Sequence, residues 1–186
     1  MSANPSPATD SVAASSTDPK ANRRKYVTFT VFALVSLVLD QITKAMARGT
    51  LRTGGPKVVV DGFFDLRYAE NPGVAFSMLQ DIPGGLLSLV AVGAFGLVVY
   101  YLRKMPAEHR RLHVALGLVG GGALGNLVDR ILYGRVTDFI VWKARWGGRV
   151  HEWPAFNIAD AALCVGVGLM VLDMITNKKP APAETA

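Results

Sequence analysis

The sequence predicts an all-α polytopic membrane protein: four transmembrane helices with a small extracytoplasmic β-sheet and an interfacial loop. Three observations lead there. The 186 residues are 51% hydrophobic and 18% charged, where a soluble domain carries nearer to about a quarter charged residues. Four apolar stretches approach the roughly 20 residues that a helix needs to cross a bilayer. The basic residues, which give a net charge of +6, cluster in short segments beside those stretches. That pattern orients membrane helices, and it differs from the basic face of a nucleic-acid binder, so no nucleic-acid partner is expected.

Residues 1–22 are rich in Ser, Ala, Pro and Thr without apolar periodicity and read as a disordered tail. Residues 177–186 read the same way, which leaves 23–176 as the membrane domain. The first span covers 26–47, uncharged to Leu39 and then carrying Asp40 and Lys44. Its basic "RRKY", apolar run and "AMA" resemble a cleavable signal peptide. Asp40, Lys44 and the three further spans argue against that reading. The second span, 82–102, has no charge; the third, 112–132, is uncharged until Asp129; the fourth, 156–176, is bracketed by Asp160 and Asp173. Within the third, Gly117, Gly121 and Gly125 recur every four residues, a spacing that lets transmembrane helices approach closely.

Two longer connections separate these spans. In 48–81, "KVVVDGFFDLRY" alternates and is β-branched and aromatic, so it predicts strands broken by a turn at Asp61-Gly62. In 133–156, "WGGRVHEWPAF" is aromatic and glycine-punctuated and reads as a loop at the membrane interface, where Trp is favoured. The segments before the first span, between the second and third, and after the fourth are all basic, and an even number of spans puts them on one side. The positive-inside rule makes that side the cytoplasm. Arg135, Lys143, Arg145 and Arg149 in the opposite loop weigh against this orientation, but the density of "NRRKY" and of 103–111 decides it.

The orientation gathers the polar residues of the spans at one depth. Asp40, Asn126, Asp129, Arg130, Asn157 and Asp160 all fall towards the outer side, and Asn71 and Asp138 belong to the outer loops. Asn126 and Asp129 are three apart, as are Asn157 and Asp160, so each pair shares a helix face. Asp40 and Lys44 are four apart and able to pair. Each has a bland reading: a helix-end anchor for Asp40, an interfacial charge pair for Asp129–Arg130, a surface acid for Asp138, a helix N-cap for Asp160. Intramembrane acids are costly, however, and several acids and asparagines around one shallow site argue for a reaction centre. Neighbouring carboxylates share a proton because like charges resist double ionisation in a low-dielectric site. The ionised member can deprotonate water while the protonated one polarises a carbonyl, and asparagines can stabilise the oxyanion. That is peptide hydrolysis of the aspartic type, with no metal or other cofactor.

Other hydrolytic chemistries fit less well. "HEWPA" begins like a zinc-protease helix, but Ala155 stands where the second His is needed and Pro154 breaks the helix. There is no G-x-S-x-G elbow. His109 and His113 lie at the inner face, and the lone Cys164 excludes a disulfide framework and a Cys-based zinc site. A four-span transporter would place its carboxylates near the midplane with repeat symmetry, and a structural subunit would use them as interfacial charge pairs.

The motifs "DQITK" (40–44), "NPGVAF" (71–76), "GGALGNLVDR" (121–130), "GRVTDFI" (134–140) and "FNIAD" (156–160) resemble, in content and order, those of signal peptidase II, the bacterial membrane aspartic protease family that matures prolipoproteins. The resemblance spans residues 26–176. It implies that Asp138 and Asp160 form the catalytic dyad, that Asn71, Asn126, Arg130 and Asn157 support it, and that Asp40 and Asp129, with Lys44 beside Asp40, are structurally important nearby. It further implies a substrate signal peptide whose lipobox cysteine carries diacylglyceryl, cleavage just before that cysteine, and inhibition by globomycin-type peptides. A monomer in contact with membrane lipids is expected, in the inner membrane, with both termini cytoplasmic and the site near the periplasmic face. A dyad at the outer surface suits a substrate whose acyl chains remain in the bilayer.

Overall fold

The computed structural model describes residues 19–73 and 84–176. Readings on residues 1–18, 74–83 and 177–186 lie outside them, including most of both tails, the end of the 71–76 motif and the first two residues of the second span. Helices α1 (Pro19–Gly54), α2 (Gly84–Lys104), α3 (Arg110–Tyr133) and α4 (Ile158–Thr176) alternate with strands β1 (Lys57–Val60) and β2 (Phe64–Asn71) between α1 and α2, and β3 (Val136–Trp146) and β4 (Arg149–Glu152) between α3 and α4. All four helices are long and apolar enough to cross a membrane. Their outward faces carry large apolar side chains such as Leu34, Leu89, Val165 and Ile175, a surface suited to lipid and not to water.

α3 is the central helix. In its most apolar stretch 61% of residues are buried, against 17–22% in the other three helices, and α1, α2 and α4 all pack on it. The glycines make that approach possible: a Cβ on Gly117 would stand 2.7 Å from the Phe29 carbonyl oxygen, and one on Gly125 would stand 2.5 Å from Asp40 Oδ2. α3 ends at Gly134, whose left-handed backbone (φ 72°) lets its N–H close on the Arg130 carbonyl.

The strands form one antiparallel sheet in the order β1-β2-β3-β4. It seats on the end of α1, where Ala47 and Leu51 pack against Phe139, with Tyr68, Ile140 and Ile158 around them. A register irregularity between Leu66 and Ala69 marks a bulge just before Ala69, which pairs with Asp138. Bulges of this kind re-aim side chains beside functional sites. The Phe139 and Ile140 amides donate to the Phe156 carbonyl, which fastens the start of α4 to β3.

Three sequence readings are corrected by the structure. Helix α1 starts at Pro19, inside the tail read as 1–22, and runs on to Gly54, past the end of the 26–47 span. At about 1.5 Å per residue its 36 residues reach about 54 Å, well beyond a hydrocarbon core of about 30 Å. The polar ends of α1 are helical because hydrophobicity sets the span and not the helix. The stretch around "WGGRVHE", read as loop, is the β3–β4 hairpin: Trp146 pairs with Arg149 across Gly147 and Gly148, both at positive φ (57° and 74°), as a two-residue turn requires. Asn71 and Asp138, read as loop residues, lie in β2 and β3. The bland alternative for Asp129 and Arg130, a charge pair with each other, gives way to other close partners: Asp129 meets Arg48 and Lys44, and Arg130 donates to backbone carbonyls.

Candidate active site

The site begins with the joint between β3 and α4. Asn157 precedes α4 and caps it: its Oδ1 accepts the Asp160 N–H at 3.0 Å, while Asp160 Oδ2 accepts the Asn157 N–H at 3.1 Å. This reciprocal pair is a capping box, with Asp in the place usually held by Glu or Gln. Asn157 is fully buried, and its Nδ2 donates to Asp138 Oδ1 at 2.7 Å and to Asn126 Oδ1 at 3.1 Å. Asn126, from α3, donates its own Nδ2 to Asp160 Oδ1 at 2.8 Å. Two asparagines therefore tie Asp138 and Asp160 into one constellation.

The sheet supplies the other side. Asn71 pairs with Val136 in the β2–β3 ladder, which sets it diagonally beside Asp138, and its Nδ2 reaches Asp138 Oδ2 at 3.1 Å. Its Oδ1 accepts the Gly73 N–H, and Arg130 Nη2 holds the Gly73 carbonyl at 3.0 Å. Arg130 also interacts electrostatically with Asp160, Asp138 and Asp129. Asp138 is 3% exposed. Burial, followed by the negative charge of Asp160, raises its carboxyl from 3.8 to about 7, against the pull of the Asn71 and Asn157 amides and of Lys44.

Beneath this layer lies a fully buried ionic cluster. Lys44 Nζ stands 2.8 Å from Asp40 Oδ2 and 3.6 Å from Asp129 Oδ2, and it donates to Asn126 Oδ1 at 2.8 Å. Lysine offers only donors, so Asn126 must turn its oxygen to Lys44 and its Nδ2 to Asp160. Asp40 Oδ1 accepts the Ala159 N–H at 2.9 Å, placing an anion at the positive end of α4. Asp129 Oδ2 accepts the Thr137 N–H at 2.8 Å, one residue before Asp138. The cluster thus holds three elements: Asp40 the start of α4, Lys44 the Asn126 amide, and Asp129 the strand that carries Asp138.

Every residue named from the sequence is therefore in the site or directly beneath it. Three partners were missed. Arg48 donates to Thr137 Oγ1 at 2.9 Å and pairs with Asp129 at 3.4 Å, and Gln41 donates to the Gly125 carbonyl at 3.0 Å. For Arg48 a signal existed: Asp40, Lys44 and Arg48 recur every four residues and so share a face of α1. Gln41 and Thr137 carried none.

A model of the signal peptidase II family matches residues 32–176. The lipoprotein signal peptidase of Geobacter sulfurreducens is 41% identical over 158 residues, covering 83% of this chain and 95% of that one. That of Symbiobacterium thermophilum is 42% identical over 147 residues, covering 78% and 92%. A solved structure, described as a bacterial membrane enzyme determined by the in meso method at 2.3 Å resolution, superposes with a TM-score of 0.70 at 30% identity, covering 84% of this chain and 94% of that one. Sequence and fold point the same way, and the chain belongs to the signal peptidase II family of membrane peptidases.

Proposed function

We propose that the chain removes the signal peptide from diacylglyceryl-modified prolipoproteins, cutting just before the lipid-bearing cysteine, with Asp138 and Asp160 acting together on a water molecule. The observation that carries this reading is the tether of both acids through Asn126 and Asn157, in a chain of a family whose named relatives are lipoprotein signal peptidases.

Asp160 takes the part of the base, aimed by the Asn126 amide and the Asn157 backbone N–H, both of which it accepts. Asp138, raised first by burial and then by Asp160, keeps its proton towards neutral pH. Asp160 then takes a proton from water, the hydroxide attacks the scissile carbonyl carbon, and Asp138 gives its proton to the carbonyl oxygen. As the tetrahedral intermediate collapses, a hydroxyl proton returns to Asp138, the carbonyl re-forms, the C–N bond breaks and the amine leaves with the proton held by Asp160, so both acids regain their starting states and no covalent enzyme intermediate forms. Asn71 and Asn157 hold Asp138 by both oxygens, and Arg130 holds the backbone at Gly73 beside Asn71. The support from Asp40, Lys44 and Asp129 fixes the Asn126 amide and both strand and helix starts.

The basic ends of the spans support an inner-membrane protein with cytoplasmic termini and a periplasmic site, and a single chain supplies every member of the site. Globomycin-type peptides occupy the place of the substrate. The test is cleavage by the purified protein in lipid-detergent micelles of one precursor in two forms, with and without the diacylglyceryl group. Cleavage of the lipidated form alone supports the reading; equal cleavage of both, or of neither, overturns it.

A further inference from the structure

The end of the bundle opposite the site holds a second built feature. A cleft of about 740 Å³ opens between the first turns of α1 and the 105–113 connection leading into α3. Lys20, Arg23 and Arg24 line it from α1 and Arg110 from α3, with Glu108 as the single acid on the lining. Arg23, Arg24 and Arg110 have no carboxylate partner among the described residues. Gathering like charges in one concavity is unfavourable unless an anion enters it.

The cleft is shaped by buried contacts. Lys25, 4% exposed, turns away from it and donates to the Met105 carbonyl at 2.9 Å and the Arg103 carbonyl at 3.4 Å. It thereby caps the end of α2 and locks α1 to the connection. His113, 1% exposed, holds the Pro106 carbonyl at 3.1 Å. The back wall is therefore fixed, and the arginines project from it.

Its position specifies the ligand. The apolar runs of α1 and α3 begin at Tyr26 and Leu112, within a turn of these arginines, so the cleft lies at the boundary between lipid and water. Val27, half exposed, lines the cleft, and the equally exposed Val31 lies one turn further along α1. A phosphate held among Arg23, Arg24 and Arg110 leaves its acyl chains to run down that apolar strip.

We propose that this cleft binds the phosphodiester headgroup of an anionic membrane phospholipid. The site is separate from the peptidase constellation and independent of how that constellation works. A basic residue beside an anionic lipid surface contributes about 1 kcal/mol, roughly a fivefold gain in affinity, so removing the three arginines weakens binding by about two orders of magnitude.

The test is native mass spectrometry of the purified full chain in neutral detergent, titrated with phosphatidylglycerol or phosphatidylcholine. The wild type retains phosphatidylglycerol in preference, and Arg23→Gln/Arg24→Gln/Arg110→Gln loses that preference. A charge-matched control at the other end, Lys57→Gln/Arg145→Gln/Arg149→Gln, keeps it. Should the triple variant not fold, Arg23→Gln and Arg110→Gln are read singly, each expected to weaken retention about fivefold. Equal retention of the two lipids by the wild type overturns the proposal. So does an equal loss in the control, which would make the attraction one of overall charge. In a third arm, inorganic phosphate is added: phosphatidylglycerol still retained at millimolar phosphate supports a lipid site, and its full displacement assigns the cleft to free phosphate and overturns the proposal.

Discussion

Replacing Asp138 by Asn removes a titration that sets how stability depends on pH. The carboxyl ionises at 3.8 in its ordinary setting and at about 7 in the folded chain, raised first by burial and then by Asp160. Between those values the unfolded chain has released the proton and the folded chain keeps it, so the unfolded state binds fewer protons and stability falls as pH rises. The contribution is full below about pH 4 and gone above about pH 7, and at 1.36 kcal/mol per pH unit the loss is about 4 kcal/mol. For a chain of this size 1 kcal/mol moves Tm by about 2–4 °C. Going from about pH 4 to about pH 8, the wild type should therefore lose about 8–16 °C relative to Asp138→Asn, whose amide does not titrate. Thermal unfolding of both proteins in one detergent, followed by tryptophan fluorescence, reads this directly. Trp142, Trp146 and Trp153 lie in or beside the sheet that carries Asp138. Melting temperatures that stay parallel from acid to alkaline pH would refute the argument that burial and Asp160 keep this carboxyl protonated.

Two further predictions concern the buried layer. Lys44→Met leaves Asp40 and Asp129 without their shared cation and should cost about 3–5 kcal/mol; adding Asp40→Asn should recover part of it, a non-additivity read from denaturant unfolding of the two variants. Gly125→Ala puts a methyl 2.5 Å from Asp40 Oδ2 and should cost about 1–3 kcal/mol, whereas Ala at Gly49, with nothing near its Cβ position, should not lower Tm.

The four spans were legible because a bilayer imposes one strong rule, length and hydrophobicity, that each segment must satisfy alone. The strands around Asp61-Gly62 were legible from alternation. The β3–β4 hairpin was not, although Gly147-Gly148 is a two-residue turn signal, because its flanking Arg, Trp and His hide the alternation that marks a strand. Within the site, which residues gather was visible from depth along the spans. How they bond was not: the contact between Lys44 and Asn126 crosses 82 residues, and nothing in one sequence states a pairing between helices. The same holds for Asp40, read as a helix-end anchor; it does anchor a helix end, but that of α4 through the Ala159 N–H. The N-cap place considered for Asp160 belongs to Asn157, and Asp160, in the first turn of α4, answers it through the Asn157 N–H.

The central claim is that Asp138 and Asp160 act as one unit. Its most direct test is the single-turnover cleavage rate of a diacylglyceryl-modified precursor by Asp138→Asn, Asp160→Asn and the double variant, each first shown to be folded. Residues that act as a unit are strongly non-additive, so either single substitution should abolish nearly all turnover and the double should lose no more than the worse single. Near wild-type cleavage by either single variant, or losses that multiply in the double, would contradict the account.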